Sequence, residues 1–301
     1  MAASRPGGFS GFVGAGTLCA LAALTGCDSL TKTGDPAIPA ATIAPPALPG
    51  QAGAQRVSQF VFYSDQPIKA NAPLFTELGQ LRDQIFHDLQ LPPSNAVVQV
   101  YLFDDQDRYE RYMRYRYPEL PKRRAFFVAH PGPPGGQREL LVFTYWGDHL
   151  RQDLRHELTH ALLNSVLKEV PLWLDEGLAE YYELPPERDG VNARHIDAFR
   201  RGEVTADLAS LEKLDQVPQM GRAQYQEAWA WVHLMLRGNP AGRQVLLAHL
   251  QQLRGTEPVG PLLPKLQAVY PNPPLALAQH LGLVGTPAAR LRPVVGRGSI
   301  P

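Results

Sequence analysis

Cysteine is almost missing from this 301-residue chain: the only two, Cys19 and Cys27, lie within the first thirty residues. The body therefore holds neither a disulfide framework nor a cysteine-ligated metal. Net charge is missing too, since 29 basic and 29 acidic side chains balance to zero. That excludes the strongly basic class of nucleic-acid binders. No apolar run after the first thirty residues approaches the roughly eighteen that a membrane span needs, and no internal repeat is visible. Proline is plentiful instead, 29 in all, and crowds towards the two ends, where the least order is expected.

The first thirty residues have the layout of an export signal. Arg5 gives a positive start, and Phe12 to Leu24 is apolar but short for a span. The stretch closes with Leu24-Thr25-Gly26-Cys27, which resembles the bacterial lipobox. That resemblance implies cleavage before Cys27, lipidation of its sulfur, and a mature protein held at the cell envelope facing away from the cytoplasm. Residues 1–26 are thus expected to be a signal peptide. Residues 27–55, made of Pro, Ala, Gly and Thr, are expected to be a flexible tether, because they can bury too little to offset their ordering entropy.

The globular part is expected over 56–254, with a partly ordered Pro-rich segment at 255–301. Val57 to Ser64 reads as one strand, followed by a helix from Pro73 whose Leu74, Leu78, Leu81, Ile85 and Leu89 share one face. Further strands are expected at Ala96–Phe103, Ala125–Ala129 and Glu139–Tyr145, with a short helix over Asp104–Tyr115. Helices follow at 149–168, 172–184, 193–201, 222–237 and 240–253, and a short one around Leu275–Leu281. A small mixed sheet followed by a helical half makes an α+β domain. The alternating tyrosines and arginines of 108–124 read as a solvated helix with its rings packed on the sheet. Contact with anionic lipid or wall polymer is the other reading; nucleic acid is not expected.

The chemistry is concentrated in His156-Glu157-Leu158-Thr159-His160. Leu150, Leu154, Leu158 and Leu162 place this stretch in a helix, where residues four apart stack on one face. His156 and His160 can then ligate one zinc ion, and Glu157 lies beside it as a general base for a bound water. Val170-Pro171 breaks that helix, and Trp173-Leu174-Asp175-Glu176-Gly177-Leu178-Ala179 follows. Together the two segments resemble the gluzincin metallopeptidases. Their second helix carries a Trp-Leu-x-Glu-Gly-x-Ala pattern with the glutamate as third zinc ligand, the position of Glu176. The short spacing from His160 to Glu176 is closer to the smaller peptidase-MA-like domains. The resemblance covers the two helices, implies a zincin-like fold with one Zn²⁺ per chain, and says nothing of the termini.

Asp175 would point about 100° away from Glu176 and could ligate only in its place. Glu180, one turn along, is assigned to the free N–H of a ligand histidine, with Glu183 as the alternative. In related enzymes a tyrosine or histidine from a later helix stabilises the oxyanion, which makes Tyr225 and His233 the candidates. His130 and His149 fit no ligand spacing. The strand Glu139–Tyr145 takes the place of a substrate-pairing edge strand.

The expected function is a membrane-anchored zinc peptidase acting on peptide or protein substrates, as a monomer. No Gly-x-Met-Glu-Asn-like exopeptidase segment is present, which favours an endopeptidase over an aminopeptidase. The alternative is a non-catalytic scaffold lipoprotein that keeps zinc for stability, and hydrolysis of a non-peptide amide would use the same residues.

Overall fold

The computed structural model describes residues 46–50, 53–70, 72–132 and 136–282. The export segment, Cys19, Cys27, most of the tether and the tail beyond 282 lie outside the described residues.

Alternation along the strands sets the two faces of a sheet. In β3 (Val98–Phe103), Val98, Val100 and Leu102 join one hydrophobic cluster, while Phe103 belongs to another. In β5 (Glu139–Tyr145), Leu140 and Val142 join the first, and Leu141, Phe143 and Tyr145 the second. Side chains two apart share a face, so each strand serves two layers. The first face carries α1 (Pro73–Asp88) and α3 (Leu150–Asn164); the second carries α2 (Gln106–Arg116) through Tyr109, Tyr112 and Met113. The expected tyrosine packing thus holds for two rings of α2, while Tyr115 is 56% exposed.

Five strands are hydrogen-bonded in the order β1-β2-β3-β5-β4. β1 (Ala54–Val57) runs antiparallel to β2 (Phe60–Ser64), β2 and β5 flank β3 in parallel, and β4 (Phe126–His130) closes antiparallel on β5. The domain is α+β, a mixed sheet followed by a helical half.

Three expectations need correction. The single strand over 57–64 is a hairpin, because Ser58 takes a left-handed φ of 55° and turns the chain. A Ser-Gln pair carries none of the usual Asn-Gly turn signal. Structure also reaches into the expected tether: β1 begins at Ala54, and the Gly50 N–H donates to Asp65 Oδ1 at 2.9 Å. Finally, β5 is an interior strand. Its run Leu140–Tyr145 is buried on both faces, as an interior strand requires, and the sheet ends among the described residues at β4.

The helical half stacks outwards from α3. α4 (Leu172–Tyr182) packs on α3, and α7 (Arg222–Arg237) packs on α4. α5 (Ala193–Arg200) and α6 (Leu208–Leu211) lie against α7, as does α8 (Pro240–Gln252). Gly177 permits the α4–α7 approach: a Cβ there would meet the Ala228 carbonyl oxygen at 2.6 Å and Val232 Cγ2 at 2.9 Å. The Pro-rich segment contributes α9 (Leu263–Gln267) and α10 (Pro273–His280), which bury Leu262, Leu266 and Leu277 in the main core. Pro264, Pro273 and Pro274 stand in the first turns of these helices, where the missing N–H has no partner to lose. Among the described residues no helix is long and apolar enough to cross a membrane.

Candidate metal centre

Leu154, Leu158 and Leu162 turn one face of α3 into the core, which leaves His156, Glu157 and His160 on another. Arg155, immediately before them in sequence, is fully buried and bolts the helix in place. Its Nε and Nη2 donate to the carbonyls of Tyr182 (3.0 Å) and Leu184 (2.8 Å), and its Nη1 to Glu77 Oε1 on α1 (3.0 Å). The helix bearing the two histidines is thereby fixed to the end of α4, the helix bearing Glu176. Nothing in the periodicity of α3 announces this arginine, since it reads as one more polar residue beside the motif.

Ligand atoms from His156, His160 and Glu176 lie within 4.8 Å of one another. Glu176 Oε2 is 3.4 Å from His156 Nε2 and 3.5 Å from His160 Nε2. Each imidazole has a carboxylate at its other nitrogen: Glu183 Oε2 at 3.1 Å from His156 Nδ1, and Asp175 Oδ2 at 3.0 Å from His160 Nδ1. A carboxylate only accepts, so a neutral His156, hydrogen-bonded to Glu183, keeps its proton on Nδ1 and aims its Nε2 lone pair inwards; Asp175 stands at the same distance from His160 but outside hydrogen-bond geometry, and favours that tautomer through its charge. Three lone-pair atoms then face one another, and Glu176 Oε2 is buried without a hydrogen-bond partner. A divalent cation resolves that arrangement. Two imidazole nitrogens and one carboxylate are a donor set suited to zinc with one open position.

Without a cation the same geometry must take up protons. Burial opposes charge on His160, but the Asp175 and Glu176 carboxylates outweigh it and push the imidazole up to about 10. His156 is likewise raised, with Glu176 and Glu183 overcoming burial. Burial raises the carboxyl of Glu176, yet the two imidazoles that face it hold it far below the usual range. Glu157 is raised, chiefly by burial and in part against the pull of the two histidines. It accepts the backbone N–H of Phe127 on β4 and lines the adjoining cleft. The Phe127 ring stacks on His160 with centroids 6.3 Å apart.

Tyr225, in the first turn of α7, reaches the centre. Its hydroxyl is 3.4 Å from Glu176 Oε1 and accepts from Arg123 Nη2 at 2.9 Å. Glu180 and Glu183 lie near His156, ligand atoms of all three within 4.8 Å of one another, and the remaining candidates fall elsewhere. Glu180 pairs with His195 Nε2 at 2.9 Å rather than with a ligand histidine. One helical turn further along, Glu183 has the reach to His156 Nδ1, and it also accepts from Gln152 at 2.7 Å. His233 is buried against Trp229 and bonded to His280 Nε2 at 2.7 Å, away from the cleft. His130 meets Tyr117 and Glu139, and His149 lies against Tyr145.

Sequence reasoning missed Asp175 as a partner of His160, and it missed Arg123 and His195. Asp175 was legible, because a residue one helical step from Glu176 faces the second histidine. Arg123 was not, since it comes from a loop remote in sequence. A cleft of about 590 Å³ opens beside Glu157 and His156, and no residue of 255–282 lines it. Comparison of the chain with models of known protein families and with curated proteins gives no match.

Proposed function

We propose that this chain is a zinc-dependent peptidase, exported and tethered to a bacterial membrane through lipidated Cys27. The observation that carries the reading is the convergence of His156, His160 and Glu176 with Glu157 beside them in an open cleft. A bound zinc ion supplies Lewis acidity, enough to let water ionise near pH 7 and to polarise a carbonyl. The protein does the rest. Glu157, its basicity raised by burial, takes a proton from the attacking water and returns it to the departing amine. Asp175 and Glu183 fix the tautomers and orientation of the two histidines. Tyr225 accepts a hydrogen bond from Arg123, and its own O–H, which donates to Glu176 Oε1 at 3.4 Å, is the donor that can turn to the oxyanion formed at the scissile carbonyl. β4, rather than β5, offers the sheet edge beside Glu157 along which an extended substrate can lie.

The test pairs metal content with turnover. The soluble form beginning at Asp28 is expected to hold about one zinc, lost in His160→Ala and in Glu176→Ala. Glu157→Gln is expected to keep the metal and lose about 10²–10⁴-fold in peptide cleavage. A wild-type chain that takes up no zinc, or a Glu157→Gln variant with undiminished function, rejects the peptidase reading. The second outcome leaves the scaffold lipoprotein in its place.

A further inference from the structure

The acids and bases of the cleft are engaged to different degrees. Every carboxylate facing it has a partner: Asp153 takes Arg124 at 2.9 Å, Glu180 takes His195, Glu183 takes Gln152 and His156, and Glu157 takes the Phe127 amide. The arginines are not matched in the same way. Arg123 bonds only to a neutral phenol, that of Tyr225. Arg194 and Arg222 line the cleft, are exposed, and make no side-chain hydrogen bond or ion pair among the described residues. Glu203, which Arg222 stabilises through space, is already held by Arg201 at 2.6 and 3.0 Å.

These arginines come from separate elements. Arg123 precedes β4, Arg194 lies in the first turn of α5, and Arg222 opens α7. Both helices turn their N-terminal ends to the cleft, since Asn192 and Tyr225 line it as well. Helix N-termini carry positive partial charge, which adds to the same sign of field. A guanidinium without an anion is the matching half of a bidentate pair with a carboxylate.

We infer that the cleft selects peptides bearing a carboxylate near the bond to be cut, with Arg194 and Arg222 as the selecting residues. The carboxylate is either an acidic side chain or a free C-terminus. The inference rests on the peptidase reading for the phrase "bond to be cut"; the anion selectivity itself does not.

The test is a binding measurement on the zinc-loaded Glu157→Gln chain, where cleavage does not interfere. The probes are fluorescein-labelled hexapeptides with two internal glutamates or with alanines in their place, each ending as a free acid or as an amide. At low ionic strength, where screening is weak, fluorescence anisotropy should show a carboxylate-bearing probe binding about tenfold or more tighter than the alanine amide. That advantage should vanish in Arg194→Ala/Arg222→Ala and persist in Arg200→Ala/Arg254→Ala, which removes equal charge outside the cleft. All four side chains are exposed, so neither variant leaves a buried group unpaired.

An advantage confined to the internal glutamates identifies the acidic side chain; one confined to the free acids identifies the C-terminus. Equal affinity for all four probes, or an advantage that survives Arg194→Ala/Arg222→Ala, overturns the inference. The two readings fail separately. Selective binding with no cleavage by the wild type rejects the peptidase, whereas Glu157-dependent cleavage with no preference rejects the selectivity.

Discussion

Asp175 and Glu176, adjacent on α4, serve one histidine from two sides: Asp175 Oδ2 is 3.0 Å from Nδ1 of His160, and Glu176 Oε2 is 3.5 Å from its Nε2. One turn of helix thus supplies both a candidate ligand and the group that orients another. Asp175→Ala should therefore keep the fold and weaken zinc binding by about 10–100-fold. Competition with a chelator of known affinity measures this, and an unchanged affinity would show that Asp175 merely fills space.

Gly177→Ala is expected to destabilise the chain, against the usual rule for helices. An alanine in a helix interior is worth about 1 kcal/mol over glycine. Here its methyl would stand 2.6 Å from the Ala228 carbonyl oxygen on α7, and forced repacking of that kind costs about 1–3 kcal/mol. Urea unfolding should give a net loss. A gain would mean that α7 moves aside freely.

Arg155→Met should be among the most damaging single changes outside the metal centre. It removes one of two arginines on the Glu77 carboxylate, Arg151 Nε staying at 2.8 Å, and takes their donor from the carbonyls of Tyr182 and Leu184. Each buried polar group left unpaired costs about 1–3 kcal/mol. Glu77→Gln, which leaves both carbonyls their donor, should cost less in urea unfolding, and an equal loss would assign the damage to the ion pair instead.

Glu227 gives the stability a pH dependence of defined sign. Burial raises its carboxyl to about 7, against hydrogen bonds from the Trp231 indole (3.1 Å) and the Asp207 amide (2.5 Å). The ordinary value is 4.5. Between those values the folded chain keeps a proton that the unfolded chain has released, so stability falls as pH rises through this window. The effect is bounded at about 3 kcal/mol. Buried His233 and His249, both lowered to about 4, act with the opposite sign below 6.5. The difference between wild type and Glu227→Gln therefore isolates the glutamate. The variant should be the more stable of the two at pH 8, and equal stabilities at pH 5 and pH 8 would refute the assignment.

The helical half was legible because its residues repeat with a period that only a helix satisfies. Leu154, Leu158 and Leu162 both place α3 and turn the histidines away from the core. Glu176 was legible from its motif and Tyr225 from its position in the first turn of α7. What escaped depends on pairing across the chain. Glu183 and Glu180 sit one turn apart on α4, and only the packing angle between α3 and α4 decides which of them meets His156. The order of β4 and β5 escaped for the same reason, because a strand's own residues do not say which neighbour lies beyond it. Ser58 turns the chain through tertiary demand rather than local preference, so the hairpin was read as one strand.

Among the described residues the sheet stops at β4, and an unpaired strand is a template on which further copies of a chain can stack into fibres. Three features blunt that hazard here. The strand is only five residues long, Arg123 and Arg124 precede it, and the Phe127 amide is taken by Glu157. Wherever copies of the chain meet at high concentration, this short and charged rim works against edge-to-edge pairing.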